Sequence, residues 1–277
     1  MPKNAKIGSV ENVPRKTTSC SWRLTFGSMP HALLFIHAFP HEGSLWEPQT
    51  SDLSDVANPI APDLKGFGRN TGKVPHTITM KDHARDLKML LDERGIDRVV
   101  LCGLSMGGYI AMAFLDLFPD RVKGLIFCNT RANADDAEGK KGREELAEEV
   151  MRKGTAVIAR GMLPKMLSEH TRKERPEVAR KIEAMMERQP PEGIAASSRG
   201  MAQRPDRTAW LKNVNVPTLI ITGSADRVME LSTSTTMNDA IEGSRLVVIE
   251  EAGHLSNVDA PAEFNAVVRE FLQRIPD

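Results

Sequence analysis

Five short, largely apolar runs recur along the chain: Ala32-Leu33-Leu34-Phe35-Ile36, Val99-Val100-Leu101-Cys102, Leu125-Ile126-Phe127-Cys128, Thr218-Leu219-Ile220-Ile221 and Leu246-Val247-Val248-Ile249. None alternates apolar with polar positions, so each reads as a strand buried on both faces, as in a parallel sheet covered by helices. Trp22, Leu24 and Phe26 do alternate with polar neighbours and predict an antiparallel edge strand. Asn58-Pro59-Ile60-Ala61-Pro62, bounded by prolines, is a poorer strand candidate. Helical spacing fills the intervals. It runs over 79–94 with Leu87, Leu90 and Leu91 on one stripe, and over 106–118 until Pro119 stops it. It returns over 231–241 and over 261–272, where Phe264, Val267, Val268 and Phe271 share a face. Strands alternating with helices predict a doubly wound α/β fold with a mostly parallel sheet.

The segment 131–204 breaks that alternation. It is rich in charge, carries no strand-like run, and has helical stretches of Ala, Met, Glu and Arg punctuated by Pro164, Pro176, Pro190 and Pro191. The expected organisation is a core built from 1–130 and 205–277, with 131–204 inserted as a helical cap. Most of its methionines read as packing. Met162 and Met166 are the candidates for lining a substrate pocket, because Met adapts to varied apolar surfaces. The other use of such an insertion is subunit association in a homodimer. Residues 99–115 carry no charge and approach the length of a membrane span, but Gly103, Ser105, Gly107 and Gly108 interrupt them. A strand, a turn and a helix explain them better.

Composition narrows the class. Of 277 residues, 37 are Lys or Arg and 37 are Asp or Glu, a formal net charge of zero. No basic excess points to nucleic acid or to an anionic membrane. The 40% apolar content is too high for a disordered chain. Cys20, Cys102 and Cys128 contain no Cys-x-x-Cys pair, so neither a disulfide framework nor a zinc or redox motif is expected. The opening residues lead into no apolar run, and the expectation is a cytoplasmic protein without a signal peptide.

Chemistry concentrates in four places. Gly103-Leu104-Ser105-Met106-Gly107 fits G-x-S-x-G between a predicted strand and a predicted helix, the setting of a nucleophile elbow. There a sharp turn lifts the serine hydroxyl clear of the sheet, and the helix N-terminus favours developing negative charge. A serine near neutral pH needs a base. In this elbow architecture acid and base follow the nucleophile in the chain. Of the seven histidines only His170 and His254 do so. His170 falls in the charged insertion. His254 follows the 246–249 strand directly, where active sites of open α/β sheets collect. The acid that orients it is read as Asp226, after the strand beginning at Thr218. The competing position, after Cys128, offers Asn129 and Thr130 and no carboxylate before Asp135 and Asp136. Acyl transfer also needs oxyanion donors. The amide of Met106, directly after the nucleophile, is one candidate; the amide of Phe39, in Ile36-His37-Ala38-Phe39-Pro40, is the other.

With these residues in view, the chain resembles the α/β-hydrolase superfamily over about 22–272, the insertion excepted. It is similar above all to small bacterial carboxylesterases and 3-oxoadipate enol-lactonase-like hydrolases. The resemblance rests on His37-Ala38-Phe39-Pro40, Asp63-Leu64-Lys65-Gly66-Phe67-Gly68-Arg69, Gly103-Leu104-Ser105-Met106-Gly107-Gly108 and Gly253-His254. It implies a serine hydrolase that cleaves carboxylic esters or lactones of small to medium apolar substrates through an acyl-enzyme, with no metal or organic cofactor. Ala38 stands where the family usually has glycine, and Arg227-Val228-Met229-Glu230 stands where a proline often follows the acid. Ser105 disfavours the relatives that use an aspartate nucleophile, haloalkane dehalogenases and epoxide hydrolases. Carbon–carbon bond hydrolases, acyltransferases, perhydrolases and ligand receptors on the same fold remain as alternatives.

Overall fold

Among the described residues six strands form one sheet in which every pairing is parallel: β1 (His31–Ile36), β2 (Ala57–Ile60), β3 (Val99–Leu104), β4 (Val122–Cys128), β5 (Thr218–Gly223) and β6 (Arg245–Ile249), in the spatial order β2-β1-β3-β4-β5-β6. The computed structural model describes residues 31–276, so Cys20 and the strand expected at Trp22–Phe26 lie outside the described residues. The inner strands β3 and β5 are buried at every position. Their residues alternate between two apolar layers, which is why the sequence shows unbroken runs. Leu34, Ile36, Leu101, Leu125 and Phe127 pack with Leu87, Leu91, Ile110 and Phe114 on one face. Leu33, Phe35, Cys102, Leu104 and Ile126 pack with Trp46, Phe264 and Val268 on the other. The proline-bounded run does form a strand. Pro59 pairs opposite Leu33 on the outermost of the described strands.

The helices follow from local chemistry. Between β1 and β2 lies α1 (Glu47–Asp52). Helix α2 (Met80–Glu93) starts in a capping box, with Thr79 and Asp82 each bonding the other's backbone amide. Helix α3 (Met106–Leu117) is buried over its first ten residues and ends before Pro119. Between β4 and β5 come five helices: α4 (Ala137–Lys153), α5 (Thr155–Met166), α6 (Glu169–Glu174), α7 (Pro176–Glu187) and α8 (Pro191–Ala202). Pro176 and Pro191 open their helices, where no N–H is needed, while Pro164 sits within α5. After β5 come α9 (Leu231–Ala240), then α10 (Ser256–Asp259) and α11 (Pro261–Leu272).

The helical segment is fastened to the core at several points. Asp135, at its start, accepts from Arg204, at its end, at 2.7 and 2.8 Å, and also pairs with Arg131 and Arg143. Burial alone would raise the Asp135 carboxyl; the guanidiniums outweigh it and hold it well below the usual range. The Ile78 amide donates to Ala196 O at 3.1 Å, and the Leu255 amide to Met166 O at 2.9 Å. No helix among the described residues is long and apolar enough to cross a membrane.

Candidate active site

Ser105 is the first residue past β3, with φ +54° and ψ −111°, a region that side-chain-bearing residues rarely occupy. The turn is possible because its flanks lack side chains. A Cβ on Gly103 would stand 2.3 Å from the Gly107 carbonyl oxygen, and one on Gly107 would stand 2.1 Å from that of Ile36. The strained turn is locked from the next strand. The Ser105 amide donates to Cys128 O at 2.9 Å, and Thr130 Oγ1 donates to Ser105 O at 2.8 Å.

Asp226 and His254 emerge at the same end of the sheet, after β5 and β6. His254 Nδ1 lies 2.9 Å from Asp226 Oδ2 and 3.2 Å from Oδ1, and both side chains are almost fully buried. An ionised carboxylate only accepts hydrogen bonds, so the proton is assigned to Nδ1, leaving the lone pair on Nε2. Asp226 is held in turn. Its Oδ1 accepts from the Val228 and Met229 amides at 2.7 and 3.0 Å, and its Oδ2 from Asn129 Nδ2 at 2.9 Å. Burial would raise this carboxyl, but the facing His254 and these hydrogen bonds win and lower it. Among the described residues Ser105 Oγ and His254 Nε2 share no hydrogen bond; in unliganded sites that contact commonly tightens only with substrate.

In the sequence Asn129 stands out only as a position that lacks a carboxylate. It is fully buried at φ +44°, and it joins three strand ends. Its Nδ2 donates to Asp226 Oδ2 and, at 3.2 Å, to the carbonyl of Gly253, while its Oδ1 accepts from Ser256 Oγ at 2.6 Å. The one signal in the sequence is a polar residue directly after a buried strand.

The Phe39 and Met106 amides, the expected oxyanion donors, have no acceptor among the described residues. The close approach of Gly107 to Ile36 O brings the start of α3 against the loop that carries Phe39. His37 braces that loop: its Nδ1 donates to Ala38 O at 2.9 Å and its Nε2 accepts from the Leu64 amide at 3.1 Å. Burial pushes His37 down to about 4. Burial, and next the His37 and His254 imidazoles, push His41 down to about 3. Both rings are therefore neutral near neutral pH.

The remaining candidates separate. Asp135 belongs to the buried ion cluster with Arg204, and Asp136 caps α4 by accepting from the Gly139 amide at 2.7 Å. His170 is exposed on α6. Met166 is buried, one hydrogen bond from the residue after His254, and Met162 is half-buried against both apolar layers. Among the described residues no group of three His, Cys, Asp or Glu side chains is arranged to hold a metal ion.

Known proteins match the chain over most of its length. A family model described as the alpha/beta hydrolase fold matches residues 31–261. A 3-oxoadipate enol-lactonase of Acinetobacter baylyi is 29% identical over 252 residues, covering 90% of this chain and 92% of that protein. Among solved structures, a thermophilic esterase from Thermogutta terrifontis superposes with a TM-score of 0.86 at 39% identity, covering 89% of this chain and 91% of the other. The enol-lactonase from Burkholderia xenovorans does so with a TM-score of 0.82 at 26% identity, covering 90% and 93%.

Proposed function

The chain belongs to the α/β-hydrolase family, and from that premise we propose that it is a serine hydrolase of carboxylic esters and lactones, working through an acyl-enzyme. The observation that carries this reading is the His254–Asp226 contact of 2.9 Å, at the sheet end where the strained Ser105 turn also sits. Similarity to an esterase and to enol-lactonases supports the ester and lactone class.

In this mechanism Ser105 Oγ attacks the substrate carbonyl while His254 Nε2 takes the hydroxyl proton. Asp226 stabilises the imidazolium and keeps its Nδ1 proton in place. The oxyanion of the tetrahedral intermediate accepts from the Phe39 and Met106 amides, and the α3 N-terminus adds its partial positive charge. The intermediate collapses as His254 returns the proton to the leaving alcohol oxygen. Water, deprotonated by the same nitrogen, then attacks the acyl carbonyl and releases the acid and Ser105. In a lactone the leaving alcohol stays attached to the acyl group, so one molecule of hydroxy acid leaves. We place Met162 and Met166 on the apolar wall that receives the acyl or alcohol group, which favours small to medium apolar substrates over long triglycerides.

The test is a fluorophosphonate, with p-nitrophenyl esters of graded chain length and a set of lactones as substrates. Stoichiometric labelling on Ser105, with turnover lost in parallel, is expected. Labelling elsewhere, or turnover that survives full labelling, overturns the reading.

A further inference from the structure

The two residues that flank His254 are each tied to the helical segment, one directly and one through a carboxylate. The Leu255 amide donates to Met166 O at 2.9 Å. On the other side the Gly253 amide donates to Asp259 Oδ2 at 2.6 Å, and the Ser168 amide donates to that same oxygen at 3.0 Å. Met166 closes α5 and Ser168 caps α6, so these bonds converge on the junction between the two helices. Gly253 has no side chain to hold the junction away. A Cβ there would stand 2.7 Å from the Ser168 nitrogen and 3.0 Å from Asp259 Oδ2.

Asp259, the last residue of α10, serves these two amides alone. Its Oδ1 is buried without a partner among the described residues. Arg175 is close by, but its guanidinium donates to the main-chain carbonyls of Val258 and Asp259 and to Thr171 Oγ1. The carboxylate therefore does not act as half of an ion pair with Arg175. Hydrogen bonds to a carboxylate are about twice as strong as neutral ones, and two of them on one oxygen fix how far Gly253 stands from Ser168. Asp135 also fastens the helical segment, but its side chain pairs with arginines and touches neither flank of His254.

We propose, on the serine-hydrolase reading above, that Asp259 is a positioning residue that couples the cap to the catalytic base. One carboxylate oxygen sets the place of the His254 loop and the place of the substrate wall two residues from Ser168, at Met166. A shift of the α5–α6 junction is passed to the Gly253 amide, so poor fit at the wall becomes poor alignment of His254 Nε2. Rate and chain-length selectivity are then two readouts of the same contact.

The test compares Asp259 variants on p-nitrophenyl acetate, butyrate and hexanoate. Asp259→Ala should lower kcat on the acetate roughly 10- to 100-fold with a smaller change in KM, because the base loses alignment while a short acyl group has little wall to lose. It should also flatten the preference among the three chain lengths. Asp259→Asn keeps an oxygen for both amides and should restore kcat to within about five-fold of wild type. Asp135→Asn loosens the cap elsewhere and should leave kcat on the acetate near wild type. In the wild type the Gly253 and Ser168 amides should exchange hydrogen as one opening unit, a measurement that needs no variant to fold. Unchanged kcat or an unchanged chain-length profile in a folded Asp259→Ala, no rescue by Asp259→Asn, an equal loss of kcat in Asp135→Asn, or separate opening of Gly253 and Ser168 overturns the proposal. If Ser105→Ala is inactive in the same assays, the serine-hydrolase reading survives that failure; turnover by Ser105→Ala overturns the reading itself.

Discussion

Asn129 ties the Asp226 carboxylate, the Gly253 carbonyl and Ser256 together, and in the proposed mechanism it is a positioning residue that touches no reacting atom. Asn129→Ala should lower kcat roughly 10- to 100-fold, as expected for losing one hydrogen bond to a charged group, with the fold retained. Asp226→Asn should cost far more, on the order of 10⁴-fold, because it disturbs the imidazole's tautomer as well as its charge. Asp135→Asn should behave in the opposite way. Its kcat should stay near wild type, while urea unfolding should report a loss of about 3–5 kcal/mol, because three guanidiniums lose the carboxylate between them. A large kcat loss in Asp135→Asn would reassign the acid. Ser105, Asp226 and His254 were legible in the sequence because each follows a recognisable strand in chain order. Asn129 was not, because its role depends on which residues the lateral neighbours β3 and β5 bring alongside it. His37 was opaque for a related reason. Its partner Leu64 lies 27 residues away, in a loop with no periodicity.

At the scale of elements, the inner strands announce themselves as apolar runs because both sheet faces are covered. Strand β2 is obscured by Pro59 and by Pro62 just beyond it, and only the pairing with β1 shows it as a strand. Helix α2 was readable nearly to the residue from its Leu87, Leu90 and Leu91 stripe, while its Thr79–Asp82 capping box shows only in the structure. The arrangement of α4 to α8 was not, since it depends on which faces meet: α8 lies so close to the Gly66 turn that a Cβ on Gly193 would stand 1.8 Å from the Gly66 carbonyl oxygen. The two methionines of α5 differ in consequence. Met166→Ala empties a buried site and should cost about 2–5 kcal/mol in denaturant unfolding. Met162→Ala, at a half-buried position, should shift ester chain-length preference more than it changes the rate on an acetate ester. A chain-length profile that stays fixed while subunit association changes would instead assign α5 to a homodimer contact.

For the whole molecule, a balanced net charge leaves acid stability to individual buried groups. Burial lowers His37, His41 and His83 from the ordinary 6.5 to about 4, 3 and 3. Below pH about 6.5 the unfolded chain takes up protons that the folded state refuses, so stability falls as pH drops through that window, by about 1.4 kcal/mol per pH unit for each such histidine. His83→Leu should remove one share of that slope in urea titrations, whatever it does to stability at neutral pH; an unchanged slope would show that His83 is not held neutral. Hydrolysis of p-nitrophenyl butyrate by Ser105→Ala is the sharpest probe of the proposed serine chemistry. With the fold intact by circular dichroism, kcat should fall by roughly six powers of ten, to the limit of detection. Retention of more than about a tenth of wild-type turnover would contradict Ser105 as the nucleophile.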